Sequence, residues 1–166
     1  MEAEIIAIGS ELLLGQIVDT NSSFIAKILS ENGIELVQTT TVGDDFHRMK
    51  EVIKEALSRS QIVITTGGIG PTEDDLTREV IAEVIQSPLI FQPHLMKQIE
   101  ILFKKRGFRM AENNRKQAFI PERAIPIENP KGTAPGFIAE GHQGVIISIP
   151  GVPFEMEYLM KNAVIP

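Results

Sequence analysis

The stretch Ile62-Val63-Ile64-Thr65-Thr66-Gly67-Gly68-Ile69-Gly70-Pro71-Thr72-Glu73-Asp74-Asp75-Leu76-Thr77 carries most of what this chain reveals about its fold. It opens with a short apolar, β-branched run, the composition of a strand buried on both faces. It closes on an apolar periodicity that predicts a helix from about Asp74 to Ile85. Three glycines between a strand and a helix let the backbone approach a ligand closely and turn its N–H groups outward. A helix start behind such a turn adds partial positive charge and unpaired donors, which suits a phosphate or another anion. Glu73, Asp74 and Asp75 follow at once. Carboxylates beside an anion cradle repel the ligand unless a divalent cation lies between them, so the segment points to a phosphate handled with a metal.

The same alternation repeats to either side. Strands are expected at Glu4–Ile8, Ile34–Val42, Gln61–Thr65, Ala124–Ile127, Phe137–Ala139 and Gly144–Ile149. Helices are expected at Asn21–Asn32, Phe46–Ser58, His94–Arg106, Ala111–Ala118 and Pro153–Lys161, in addition to the one near Asp74. Asp19, Thr20 and Asn21 offer caps for the first of these, Asp45 caps the helix at Phe46, and Asp74 is a cap candidate in its turn. Pro93 and Pro153 suit first turns, and Gly33 and Gly107 suit stops. Repeated strand–helix–strand units predict an α/β, three-layer domain with a mostly parallel sheet and helices on both faces. No repeat or linker divides the 166 residues, and one domain over 1–166 is expected. In such a sheet the ligand lies beyond the C-terminal strand ends. Gly9-Ser10-Glu11, Gly43-Asp44-Asp45, the glycine loop and Pro150-Gly151 all follow strands, and are expected to converge.

Composition narrows the function class. The net charge of −6 argues against a general nucleic-acid binder. A basic stretch from Lys97 to Arg123 holds eight Lys/Arg against three Glu, and reads either as a solvated helix face or as a surface attracting anions. The absence of cysteine excludes disulfides and thiolate metal sites. No signal peptide or membrane span is seen, so a cytoplasmic protein without a membrane partner is expected.

The candidate residues sort by chemistry. Asp75 and Asp44, on separate loops, could share one Mg²⁺-type ion whose shell is completed by waters and phosphates. Such an ion neutralises phosphate charge and activates a water for attack on phosphorus. Glu11 is a third acid of this kind, with a plain surface role as the alternative. Gly67, Gly68 and Gly70 would supply backbone donors, and Ser10, Thr65, Thr66, Thr72 and Thr133 could donate to phosphate or ribose oxygens. Lys131, in the loop Asn129–Gly136, is a candidate phosphate contact and also an ordinary solvent-facing lysine. The standard nucleotide signatures fail: no Lys-Ser/Thr follows the last glycine, and the spacing is not G-x-G-x-x-G. The Nudix pattern fails too, because Ala82 and Gly70 stand where acids are required. His47, His94 and His142 have no metal-ligand spacing.

Taken together, Ile8-Gly9-Ser10-Glu11-Leu12-Leu13-Leu14-Gly15, Asp19-Thr20-Asn21, Val42-Gly43-Asp44-Asp45 and the glycine loop through Thr77 match a known pattern. The match continues through Asn129-Pro130-Lys131-Gly132-Thr133-Ala134-Pro135-Gly136-Phe137 and Pro150-Gly151-Val152-Pro153-x-Glu155-Met156. In this order they resemble the molybdopterin-binding-like (MoCF) domain that forms the N-terminal part of the CinA (competence/damage-inducible) family. The resemblance implies an α/β domain whose site is lined by these loops, Lys131, Gly132, Thr133, Pro150 and Gly151 among them. It also implies that Asp44 and Asp75 are the acids used with metal in molybdopterin-adenylylating relatives. Glu11 and the Asp74-Asp75 pair place the chain nearer the CinA branch. That branch is associated with hydrolysis of ADP-ribose at its pyrophosphate, helped by Co²⁺ or Mg²⁺ and by K⁺.

The expected activity is therefore metal-dependent hydrolysis of ADP-ribose or a related adenylated diphosphate, with Asp75, Asp44 and Glu11 as the catalytic acids. Molybdopterin binding or adenylylation is the alternative within the fold, and a non-catalytic nucleotide-binding module is the alternative outside enzymology. Expected partners are a nucleotide or pterin ligand and further copies of the chain. Full-length CinA proteins continue into an amidase domain, which the 166 residues do not include, so no deamidase activity is expected.

Overall fold

Strand register sets the geometry that matters most. In the computed structural model, which describes residues 1–166, β1 (Glu2–Ile8) runs parallel to both β2 (Glu35–Val42) and β3 (Ile62–Thr66). The ladder places Ile8 opposite Val42 and Ala7 opposite Thr66. The fourth parallel strand, β8 (Val145–Ile149), pairs with β3 and sets Ile149 opposite Thr66. Four strand ends are thereby level, and the loops that leave them start from one edge.

Two further strands, β6 (Ile125–Ile127) and β7 (Gly136–Glu140), extend the sheet antiparallel. The order is β2-β1-β3-β8-β7-β6, a mixed six-stranded sheet whose parallel part matches the expected architecture. β4 (Leu89–Phe91) and β5 (Phe119–Pro121) form a separate two-stranded antiparallel ribbon that the sequence reading does not contain.

Alternation along the central strands explains why both faces are covered. Ile6, Val63 and Ile146 point into a core with α3 (Phe46–Arg59), α4 (Thr77–Val84) and α5 (Pro93–Arg106), through Met49, Ile53, Val80, Ile81, Leu95 and Ile99. Their neighbours Ile5, Ile64 and Ile147 point the other way. There they meet Ile25 and Leu29 of α2 (Thr20–Glu31), and Met156 and Leu159 of α6 (Pro153–Leu159). Helices therefore lie on both faces of the sheet.

Local chemistry accounts for the ends. The amide of Ser22 donates to the Asp19 carboxylate at 3.0 Å and that of Arg48 to Asp45 at 2.9 Å, so both act as the expected caps. Asp74 does not. Helix α4 begins three residues later than expected, at Thr77 behind Leu76, and residues 71–76 form a turn. The helix Ala111–Ala118 is a 3₁₀ segment over Glu112–Ala118. The expected Pro153–Lys161 helix passes after Leu159 into a π-turn over Met160–Val164. A four-residue helix, α1 (Ser10–Leu13), occupies part of what reads as a loop.

Candidate functional site

The glycine loop leaves β3 with one amide committed and three unpaired. Gly67 donates its N–H to Ile149 of β8 at 3.1 Å, which corrects its expected role as a phosphate donor. The amides of Gly68, Ile69 and Gly70 donate to no protein group. Three consecutive free N–H groups at a strand end are donors of the kind an anion cradle requires. Gly67 and Gly68 adopt φ of 103° and 69°, and a Cβ at Gly68 would overlap the Thr77 hydroxyl. Only glycine fits that turn without strain.

Positive charge under this loop comes from a side chain that sequence reasoning passes over. Arg78, in the first turn of α4, is fully buried, and its guanidinium donates to the carbonyls of Ile69 and Gly70. Holding the Ile69 carbonyl from beneath turns the Gly70 N–H, which shares its peptide, the other way; the Gly70 carbonyl belongs to the peptide of Pro71, which has no N–H. Burial pushes the Arg78 pKa down to about 10, against the opposing charges of Glu79 and Asp75, so the group stays charged at neutral pH. Its Nε finds no partner. Lys116 pins the next segment by donating to Thr72 O at 2.8 Å and to Asp75 O, and pairs with Glu79 at 3.5 Å.

The strand-end loops do meet around this cradle. A cleft of about 560 Å³ is lined by Gly67, Gly68, Gly70 and Thr72 on one side. Glu11, Asp44, Asp74 and Asp75 supply its acids, and Thr133, Pro150, Gly151 and Glu155 close the rest. Asp44 and Asp75 thus face one cavity from different loops. Asp75 Oδ2 accepts from Thr72 N at 2.9 Å and Thr72 Oγ1 at 2.7 Å. Asp44 Oδ2 accepts from Ser10 N at 3.1 Å, while Ser10 Oγ accepts from Asp44 N at 3.0 Å. Each carboxylate keeps Oδ1 without a protein donor.

Several residues expected to touch a ligand hold the walls instead. Ser10 fixes Asp44. Thr66 is buried, donating to Pro150 O at 3.0 Å and accepting from Asn21 Nδ2 at 3.0 Å, and Asn21 reaches Gly151 O at 2.8 Å. Lys131 is exposed, with its ammonium 5.2 Å from the Tyr158 ring. Gly132 lies against the Glu155 carboxylate, in space that a Cβ would fill. Thr133 does line the cleft and accepts from Gln117 Nε2 at 3.0 Å. Glu155 is the acid the reading misses. It is 7 % exposed, and burial pushes its carboxyl above the usual range, despite the Asn129 hydrogen bond and the charge of Arg106. Only its place in the Pro-Gly-Val-Pro-x-Glu pattern marks it in the sequence.

With this geometry in hand, comparison with known proteins is decisive. A family model described as "Probable molybdopterin binding domain" matches residues 4–166. A crystal structure of the protein CinA from Thermoplasma acidophilum, of unknown function, superposes with TM-score 0.86 at 37% identity, over 96% of this chain and 94% of that one. The chain belongs to the CinA branch of the molybdopterin-binding domain family. A CinA-like protein of Gloeothece citriformis is 49% identical over 167 residues, and a protein of Halothermothrix orenii named as competence-damage inducible is 49% identical over 166. Both alignments cover all of this CinA-type domain and 40% of the relative, so the chain spans well under half the length of these curated relatives. The molybdopterin biosynthesis enzyme MoaB of Thermus thermophilus matches at TM-score 0.62 and 18% identity, over 95% and 86% of the two chains, a likeness of fold. No helix is long and apolar enough to cross a membrane.

Proposed function

We propose that this CinA-type domain hydrolyses the pyrophosphate of ADP-ribose or a related adenylated diphosphate with the help of a divalent cation. The observation that carries the reading is that the residues with unpaired amides, Gly68, Ile69 and Gly70, line one cleft together with Asp44 and with Asp75, whose carboxylate lies against Gly70. Backbone donors suit the non-bridging oxygens of a diphosphate, and the buried Arg78 adds charge beneath them. No group of three or more His, Cys, Asp or Glu side chains converges closely enough to hold a metal by itself. A cation here would therefore come as a partner of the ligand, and Asp44 and Asp75 are the residues that would help hold it, the usual habit of Mg²⁺ with a phosphate substrate. When bound, it would supply charge neutralisation at the phosphates. The chain's own part is to hold the diphosphate on the loop amides and to keep the two carboxylates in place through Ser10 and Thr72. Glu11, against Gly9 at the cleft edge, completes the acid set.

Purified protein incubated with ADP-ribose and Mg²⁺ or Co²⁺, with and without K⁺, should yield AMP and ribose 5-phosphate by mass spectrometry. Asp75→Asn should lower kcat/KM at least about 100-fold, near 2.7 kcal/mol of barrier. Wild-type rates in that variant would reject the assigned role. The description of the matching family favours a second reading, binding or adenylylation of molybdopterin in the same cleft. Copurified pterin fluorescence, or ATP consumption only when molybdopterin is present, would select it.

A further inference from the structure

Glu155 stands apart from the other acids of the cleft. It belongs to the first turn of α6 and faces the cavity from the β8 side, whereas Asp75 comes from the loop after β3 and Asp44 from the loop after β2. Its Oε1 accepts from Asn129 Nδ2 at 2.8 Å, and Asn129 also donates to Ala134 O at 2.9 Å, which locks the amide in place. Oε2 has no hydrogen-bond partner and is not sealed from the cavity. The absence of a side chain at Gly132 is what leaves room for this carboxylate. A carboxyl held by one oxygen, bare at the other and opening onto a polar cavity has the arrangement of a proton-transfer group.

Resting on the pyrophosphatase reading, we infer that Glu155 is the general base of the reaction, taking a proton at Oε2 from the water that attacks phosphorus. The oxygen of that water forms a bond to one phosphorus as the bond from that phosphorus to the bridging oxygen breaks. One proton of the water passes to Glu155, the other stays on the new phosphate oxygen, and the second phosphomonoester leaves with the bridging oxygen as an anion. Glu155 then returns its proton to solvent, so no further reactant is required. Burial raises the basicity of the carboxylate, the direction that a proton acceptor needs. The charged groups around it are Arg106, from α5, which favours the ionised form, and the acids that line the same cleft, Glu11, Asp44, Asp74 and Asp75.

The test compares wild type with Glu155→Gln, which retains an acceptor for Asn129, and with Glu155→Asp. For Glu155→Gln the inference expects a fall in kcat of about 100-fold to 10,000-fold. It also expects loss of the acidic limb of the pH–kcat profile and a calorimetric Kd for ADP-ribose within about threefold of wild type. Glu155→Asp should retain an acidic limb displaced in pH. A Glu155→Gln variant that keeps wild-type kcat, or that loses binding in proportion to activity, overturns the assignment. A second measurement requires no turnover: carbon NMR titration of labelled glutamate carboxyls in the metal-free protein. Glu155 should titrate above the ordinary glutamate value and move further up when ADP-ribose binds, because the diphosphate brings like charge. An ordinary value unresponsive to ADP-ribose overturns the inference. A wild-type protein that cleaves no diphosphate would instead remove the pyrophosphatase reading.

Discussion

Two cavities of the same volume, about 560 Å³ each, both draw on the loop between β6 and β7, and only one gathers several acids. The first sits over the C-terminal ends of the parallel strands and is walled by glycines, acids and unpaired amides. The second lies by the antiparallel edge, between α5 and α6, and is lined largely by side chains such as Ile101, Leu102, Ile125, Ile138 and Tyr158. Size does not separate them. What separates them is that parallel strands in register release several loops at one edge, whereas at the second cavity a single loop, between β6 and β7, contributes Glu128, Asn129 and Pro130.

The sharpest way to break this contrast is at Gly68. Gly68→Ala forces a non-glycine residue to φ near 69° and drives a methyl into Thr77. It should cost about 1–3 kcal/mol of stability. Diphosphate cleavage should fall by about 100-fold, near 2.7 kcal/mol of barrier; a variant with intact activity would show that the amide row is not used. Arg78→Met comes next. Removing the guanidinium relieves a costly desolvation while stranding two carbonyls, so chemical denaturation should shift by no more than about 2 kcal/mol. Affinity for ADP-ribose should nonetheless fall about tenfold by calorimetry, the equivalent of 1.4 kcal/mol. An unchanged Kd would mean that the charge beneath the loop serves packing alone. The smallest effect belongs to the other cavity: Ile125→Glu, at a position already 65 % exposed, should leave kcat/KM within about twofold. A larger loss would tie the apolar groove to the polar cleft.

Much of the polar cleft was legible because its parts are short-range. An apolar run followed by glycines reports a strand end whatever surrounds it, and Asp19 and Asp45 capped the helices that their positions announced. The failures are instructive in the same terms. Asp74 reads as a cap because acids at helix starts and acids in turns share one composition. Here the neighbouring Asp75 bonds Thr72, and the chain completes a turn before the helix begins. Strands β4 and β5 have three residues each, too few to display a period. Arg78 escaped notice because arginines are almost never fully buried, and nothing local distinguishes one that is. Glu155 escaped because its burial depends on Gly132 and Asn129, more than twenty residues away.

The cross-ties among the loops have a consequence of their own. Ser10 and Asp44 exchange hydrogen bonds, and Asn21, Thr66, Pro150 and Gly151 form a single chain of contacts. Such a site has no assembly step separate from the folding of the sheet. Recognition should proceed on a rigid-body footing, with small penalties for ordering, and heat should abolish ligand capture and secondary structure in one concerted melt.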